Sequence, residues 1–164
     1  MSFFDYAEKV EPVQEFGIRD DGKKSSELPV YLDYENKKDW NATVVSENRS
    51  DFNFIPVDNR IPYYDKQGNE RKRCDAMVYT KQTVVFIELK DQMHNWFDDA
   101  VEQLKSTIEH FDNVDGLDKF RFKKAYACNK EHPHFNYHYK ERMQQFYRDT
   151  GVTLRPEAVI KGIR

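Results

Sequence analysis

The sequence predicts an α/β domain, a mixed central β-sheet flanked by helices, and three observations carry that reading. Two apolar runs, Arg73–Tyr79 and Val84–Lys90, flank the polar residues Thr80–Thr83, which is how a β-hairpin reads. After Lys90 the hydrophobic period lengthens to steps of three and four, the signature of a helix packed on one face. Across the chain the order strand, strand, strand, helix, strand, helix, strand implies a mixed sheet covered by helices.

Composition bounds the answer before any element is placed. The 164 residues are read as one domain, with its core over about 51–128 and an N-terminal extension over 1–50. Charged residues make up 34% of the chain, but 12 Phe and 10 Tyr supply the burial that a short aliphatic count would deny, so the chain reads as folded. A net charge of −3 gives no global basic field, and any nucleic-acid binding must rest on a local patch. Cys74 and Cys128 each sit inside an apolar run and read as reduced core residues. Met1–Val10 has no apolar stretch of the signal-peptide kind, and nothing approaches the roughly 18 apolar residues of a membrane span. A cytoplasmic protein without membrane contact is the expectation.

In chain order, Phe3, Phe4, Tyr6, Ala7 and Val10 suggest a short helix ending before Pro12, and Val13–Ile18 is ambiguous. Residues 20–26 read as a turn or loop. Short strands are expected within Pro29–Tyr34 and Asp39–Val45, so the first fifty residues should add edge structure to the core. Asp51–Asp58 is a clearer strand with Phe52, Phe54 and Val57 facing the core, and Pro56 argues for an edge or a bulge. Residues 64–70 form a turn before the hairpin. Trp96, Phe97, Ala100, Val101, Leu104, Ile108 and Phe111 outline the first helix, with Asn95 as N-cap, Asp98 and Asp99 in its first turn, and a break around Gly116. Phe120–Asn129 reads as a strand and Asn136–Thr150 as a second helix closed by Gly151. One or two short strands around Pro156 end the chain.

Charge appears in the hairpin where burial should be deepest. A reversal centred on Lys81 and Gln82, with a loop of two or four residues, sets Asp75 opposite Glu88, although that pair is not a favoured turn sequence and an odd loop would shift the register. Glu88 and Lys90 share a face because side chains alternate along a strand. The triplet Glu88-Leu89-Lys90 is not informative by itself, since Asp21-Gly22-Lys23, Glu35-Asn36-Lys37 and Glu70-Arg71-Lys72 repeat it. Only the hairpin triplet ends an apolar run, follows an acid on the preceding strand and leads into an amphipathic helix. Two buried carboxylates need a cation, a shared proton or many hydrogen bonds. With the Leu89 backbone carbonyl as a third oxygen they match the hard shell that Mg²⁺ or Mn²⁺ prefers, and Lys90 could orient water or neutralise phosphate charge. Metal-dependent phosphodiester cleavage is therefore the first reading of this constellation, and a salt-bridged polar end to the hairpin is the second.

Cys74-Asp75, twelve intervening residues and Glu88-Leu89-Lys90 together resemble the core of the PD-(D/E)xK nuclease superfamily, the restriction-endonuclease-like fold. The resemblance covers about 51–128. It implies Asp75 and Glu88 as metal ligands, Lys90 as the catalytic lysine, and nucleic acid as partner, with DNA ahead of RNA. Gln103 is similar to the glutamine of superfamily exonucleases with a Gln-x-x-x-Tyr motif, which implies a catalytic part for it, although Thr107 stands where that motif has tyrosine. Many members also carry a glutamate on an N-terminal helix, for which Glu47 is the nearest candidate. Since many nucleases of this fold work as dimers, a homodimer belongs to the same expectation. The alternative is a catalytically inactive binding or immunity-type protein on the same fold.

Weaker candidates remain. Arg71, Lys72 and Arg73 could touch phosphate or form a solvated cluster. His94 reads as an exposed loop histidine, and His132, His134 and His138 as a polar loop without standard zinc spacing. Phe120–Lys124 and Tyr137–Arg148 mix aromatic and basic residues as nucleic-acid surfaces do, and equally as a core with a solvated face does.

Overall fold

The structure, a computed structural model, describes residues 1–21, 28–64, 66–131 and 139–164. The strands are β1 (Glu8–Lys9), β2 (Glu15–Arg19), β3 (Tyr31–Asp33), β4 (Ala42–Val45), β5 (Asn53–Pro56), β6 (Ala76–Tyr79), β7 (Thr83–Lys90), β8 (Phe122–Asn129), β9 (Thr153–Arg155) and β10 (Val159–Ile160). Among the described residues two α-helices accompany them, α1 (Phe97–Val114) and α2 (Lys140–Thr150). A six-stranded sheet runs β1-β5-β6-β7-β8-β9, and a four-stranded sheet runs β10-β4-β2-β3. The larger sheet is antiparallel from β1 to β7 and parallel across β7, β8 and β9, so the expected mixed sheet is present.

The hairpin holds its expected register. Thr80 N donates to Thr83 O at 2.9 Å, which leaves Lys81 and Gln82 as a two-residue loop. Ala76 then faces Ile87 and Tyr79 faces Val84. Alternation separates the faces of this pair. Met77, Val84 and Phe86 join the core under the helices, while Ala76, Val78, Val85 and Ile87 join a second core on the other side. Every β7 residue from Thr83 to Leu89 is buried, as a strand covered on both faces requires.

Helix α1 forms for the reason its spacing suggests. Phe97, Ala100, Val101, Leu104, Ile108 and Phe111 are buried on one stripe, and Asp98 and Asp99 occupy the first turn. The N-cap differs from expectation. Asn95 has a positive φ of 53°, a conformation asparagine tolerates, and it redirects the chain out of β7; Trp96 caps the helix without a side-chain bond. Gly116 (φ 85°) follows the end of α1, as expected. Helix α2 begins at Lys140 with Tyr139 as its N-cap, and Gly151 closes it in the left-handed region, while the expected start at Asn136 lies outside the described residues. The loop expected over 20–26 lies largely outside the described residues.

The N-terminal region departs most from expectation. Phe3–Tyr6 is a single 3₁₀ turn, with the Ser2 hydroxyl as its cap, and the chain then enters β1 instead of continuing as helix. Strands β2, β3 and β4 do not extend the main sheet. They join β10 in the second sheet, whose Phe16, Ile18, Val44 and Ile160 pack with Phe54, Val78, Val85 and Ile87 of the first. Helices therefore flank the main sheet on one face, and the second sheet covers the other. Three or more strands with a shared apolar face are needed for such a layer to be stable, and here one of them, β10, comes from the far end of the chain.

Pro56 pairs with Ala76 on β6, but β1 reaches only Asn53 and Phe54, so the missing proline N–H costs no ladder bond. In the second sheet Gly17 lies under the Trp40 indole, and a β-carbon there would come within 2.1 Å of the ring. Gly17→Ala is expected to destabilise the protein by about 2 kcal/mol in urea unfolding through overpacking, whereas an unchanged midpoint would show that Trp40 swings away freely.

Candidate functional site

Asp75 lies one residue before β6 and is fixed by backbone bonds on both sides. Its N–H donates to Ile87 O at 3.1 Å, and its carbonyl accepts from Val57 N at 2.9 Å. The ladder itself ends at the Ala76–Ile87 pair, and Asp75 stands at a bend whose N–H bonds that same Ile87, so the two acids are brought together by their side chains and not as a directly paired step of the ladder. The Asp75 side chain accepts from Leu89 N at 2.8 Å, and its carboxyl lies within hydrogen-bonding reach of that of Glu88. Cys74 N donates to the buried Thr107 hydroxyl on α1 at 2.7 Å, which anchors the residue before the acid to the helix. Where the resembled motif has tyrosine, this chain thus has a strand anchor.

Glu88 is 2% exposed, and among the described residues its Oε1 has no hydrogen-bond donor. Burial first, and the neighbouring Asp75 charge second, hold the Glu88 carboxyl well above the usual range, with Lys90 opposing. Burial likewise pushes Asp75 up to about 7. Two carboxyls this close favour retention of a proton between them until a cation replaces it.

Lys90 shares the face of Glu88, with Nζ 3.3 Å from Glu88 Oε2, and a closer ion pair joins it to Asp99 on the first turn of α1. Burial disfavours the ammonium, but the Asp99 hydrogen bond and the Glu88 and Asp99 charges outweigh it and hold the Lys90 pKa above its ordinary value. Gln103 Nε2 donates to Asp99 Oδ2 at 2.9 Å. Gln103 thus comes to the site through Asp99 and has no hydrogen bond to the Asp75–Glu88 pair. Lys72 reaches the same rim, 3.7 Å from Asp99 and 2.6 Å from Glu102.

The Leu89 carbonyl is placed by strand alternation. Lys90 O accepts from Lys130 N on the β8 side, and Ile87 O accepts from Asp75 on the β6 side. The N–H and C=O of Leu89 therefore both face the Asp75 side, where its N–H is already bonded. Among the described residues no group of three or more His, Cys, Asp or Glu is placed to hold a metal ion. The donor set is two carboxyls with one backbone oxygen beside them.

No protein-family model, curated protein or solved structure matches the chain.

Other sequence candidates fall elsewhere. Arg73 is buried and spends its guanidinium on Asp58, Glu70 and Ile61 O, so it is a structural bridge and offers nothing to phosphate. Arg71 lies over the Tyr63 ring and 3.8 Å from Glu109. His94 is exposed, as expected. Glu47 sits in a turn with φ 54°, so no N-terminal helix presents it to the site. His132, His134 and His138 lie outside the described residues. Cys74 and Cys128 are buried and unpaired. Among the described residues no helix is long and apolar enough to cross a membrane.

Asp99 was visible in sequence only as a first-turn acid complementing the helix dipole. Its spacing of four from Gln103 puts both on one helix face, a signal that could have joined it to the site.

Proposed function

We propose that this chain is a metal-dependent nuclease of the restriction-endonuclease-like, PD-(D/E)xK kind, hydrolysing nucleic-acid phosphodiester bonds, with DNA ahead of RNA as substrate. The observation that carries the reading is a buried glutamate oxygen without a donor, Glu88 Oε1, beside a second raised carboxyl and within one side chain of a lysine held charged. An unsatisfied buried oxygen costs about 1–3 kcal/mol, so this pair needs either a shared proton or a cation. A hard divalent cation is the partner this donor set suits.

Asp75, Glu88 and the Leu89 carbonyl would hold Mg²⁺ or Mn²⁺. The metal, when bound, supplies a water of lowered pKa and polarises the phosphoryl oxygen. The chain's own contribution is to place charge. Lys90 presents a fixed ammonium beside the carboxyls, suited to orienting the attacking water or to neutralising the charge that develops on the phosphate. Lys72, exposed at the same rim, adds a contact for a neighbouring phosphate. A cytoplasmic setting and a homodimer belong to the same proposal, the first in keeping with two free buried thiols.

A thermal melt with and without Mn²⁺ tests the metal step. At a hundredfold excess over Kd the wild type should gain about 5 °C, while Glu88→Gln gains none. No shift in the wild type would leave the inactive binding or immunity-type reading in its place.

A further inference from the structure

The ammonium of Lys90 has two carboxylates to choose from, and the structure shows which it prefers. Its Nζ sits closer to Asp99 than to Glu88, from whose Oε2 it is 3.3 Å away. Glu88 is the better-buried acceptor and has a further oxygen to offer, Oε1, which no donor reaches. Without a competitor, Lys90 would close on Glu88 and fill the position that a divalent cation needs. The competitor is a carboxylate on a different element, the first turn of α1, and it is held in place by the Gln103 amide one helical turn along. Lys72, 3.7 Å from the other Asp99 oxygen, loads the same carboxylate from the solvent side.

We propose that Asp99, oriented by Gln103, is a positioning residue that draws the Lys90 ammonium off Glu88 and so keeps the Asp75–Glu88 pair open to a divalent cation. The inference rests on the metal reading above and extends it. The lysine that serves the reaction is also the nearest rival for the metal's place, and α1 decides between the two roles. Gln103 then acts on the chemistry only through Asp99.

Mn²⁺ affinity of the purified full chain, measured by calorimetry, tests this as a double-mutant cycle. Asp99→Asn is expected to weaken Mn²⁺ binding about tenfold, the scale on which partners of metal-site residues act. Lys90→Ala should strengthen binding, and Asp99→Asn added to Lys90→Ala should change nothing further, because the ion to be restrained is gone. Asp99→Glu should recover much of the wild-type affinity. A loss on Asp99→Asn that persists in the Lys90→Ala background would overturn the inference, since Asp99 would then act as a ligand or a distant charge. So would an unchanged affinity in Asp99→Asn. A crystal structure of metal-free Asp99→Asn supplies a readout independent of any metal. Lys90 Nζ should close on Glu88 from 3.3 Å, and an unmoved Nζ overturns the inference whether or not manganese binds. Failure of every variant and the wild type to bind Mn²⁺ would instead remove the metal reading, and with it the role claimed for Asp99.

Discussion

Metal-free Glu88→Gln is expected to be more stable than the wild type at pH 8 and indistinguishable from it near pH 4. An acid whose pKa is raised by folding keeps its proton in the native state at a pH where the unfolded chain has lost it. Stability contributed by that proton is intact below the unfolded value and falls as pH rises towards the folded one. For Asp75 that window runs from the ordinary 3.8 up to about 7. Glu88, raised by burial and by Asp75, extends the loss in the same direction. At about 1.4 kcal/mol for each tenfold change in proton affinity, the wild type should lose roughly 4 kcal/mol or more of unfolding free energy across that range. The Glu88→Gln amide carries no charge and can donate to Asp75 as the protonated Glu88 carboxyl does, so the variant is spared the loss that comes from Glu88 and keeps the part that burial imposes on Asp75. Lys90 keeps its Asp99 partner in the variant. Urea denaturation at pH 4, 6 and 8 gives the comparison. A wild type whose stability rises through this window would show that the two carboxyls are ionised and independently satisfied.

Cleavage of a DNA duplex in Mg²⁺ should fall at least about 10³-fold in Asp75→Asn and in Lys90→Ala, with far-ultraviolet circular dichroism unchanged. The two losses have different origins. Asp75→Asn removes one of the two carboxylates available to a hard cation, so some activity should return at higher metal concentration. Lys90→Ala removes charge where the phosphate must be neutralised, so excess metal should not restore it. Removal of the metal by chelation should abolish wild-type cleavage altogether. Full activity in both variants would exclude the site. A fold retained with no cleavage in the wild type, on DNA or RNA, would favour a binding role.

The parts of the site that were legible before folding are those fixed by local geometry. A two-residue loop at Lys81–Gln82 pairs Tyr79 with Val84 and Ala76 with Ile87, and that register, carried one step further, points to the meeting of Asp75 with Glu88 that their side chains make. The period-two rule then puts Lys90 beside Glu88, as observed. The stripe of α1 is legible for a similar reason, since its spacing requires one buried face.

The second sheet was not legible, because its strands are short and weakly patterned and their partners lie far apart in the chain. Nothing near Ala42–Val45 announces that Val159–Ile160 will lie parallel to it, yet that pairing helps turn the first fifty residues from an edge into a layer. Gly17 shows the same limit on a smaller scale, since its need for a missing side chain exists only once Trp40 lies across it.

Sequence alone therefore pointed to the carboxylates that meet and the lysine beside them through strand alternation and an even-length loop, while the loop length itself was decided by the folded hairpin. Tertiary structure decided what that lysine does with its charge. The docking of α1 on β7 brings Asp99 to Lys90 and Thr107 to the strand before Asp75, contacts that depend on the relative placement of a helix and a sheet and on no spacing within either.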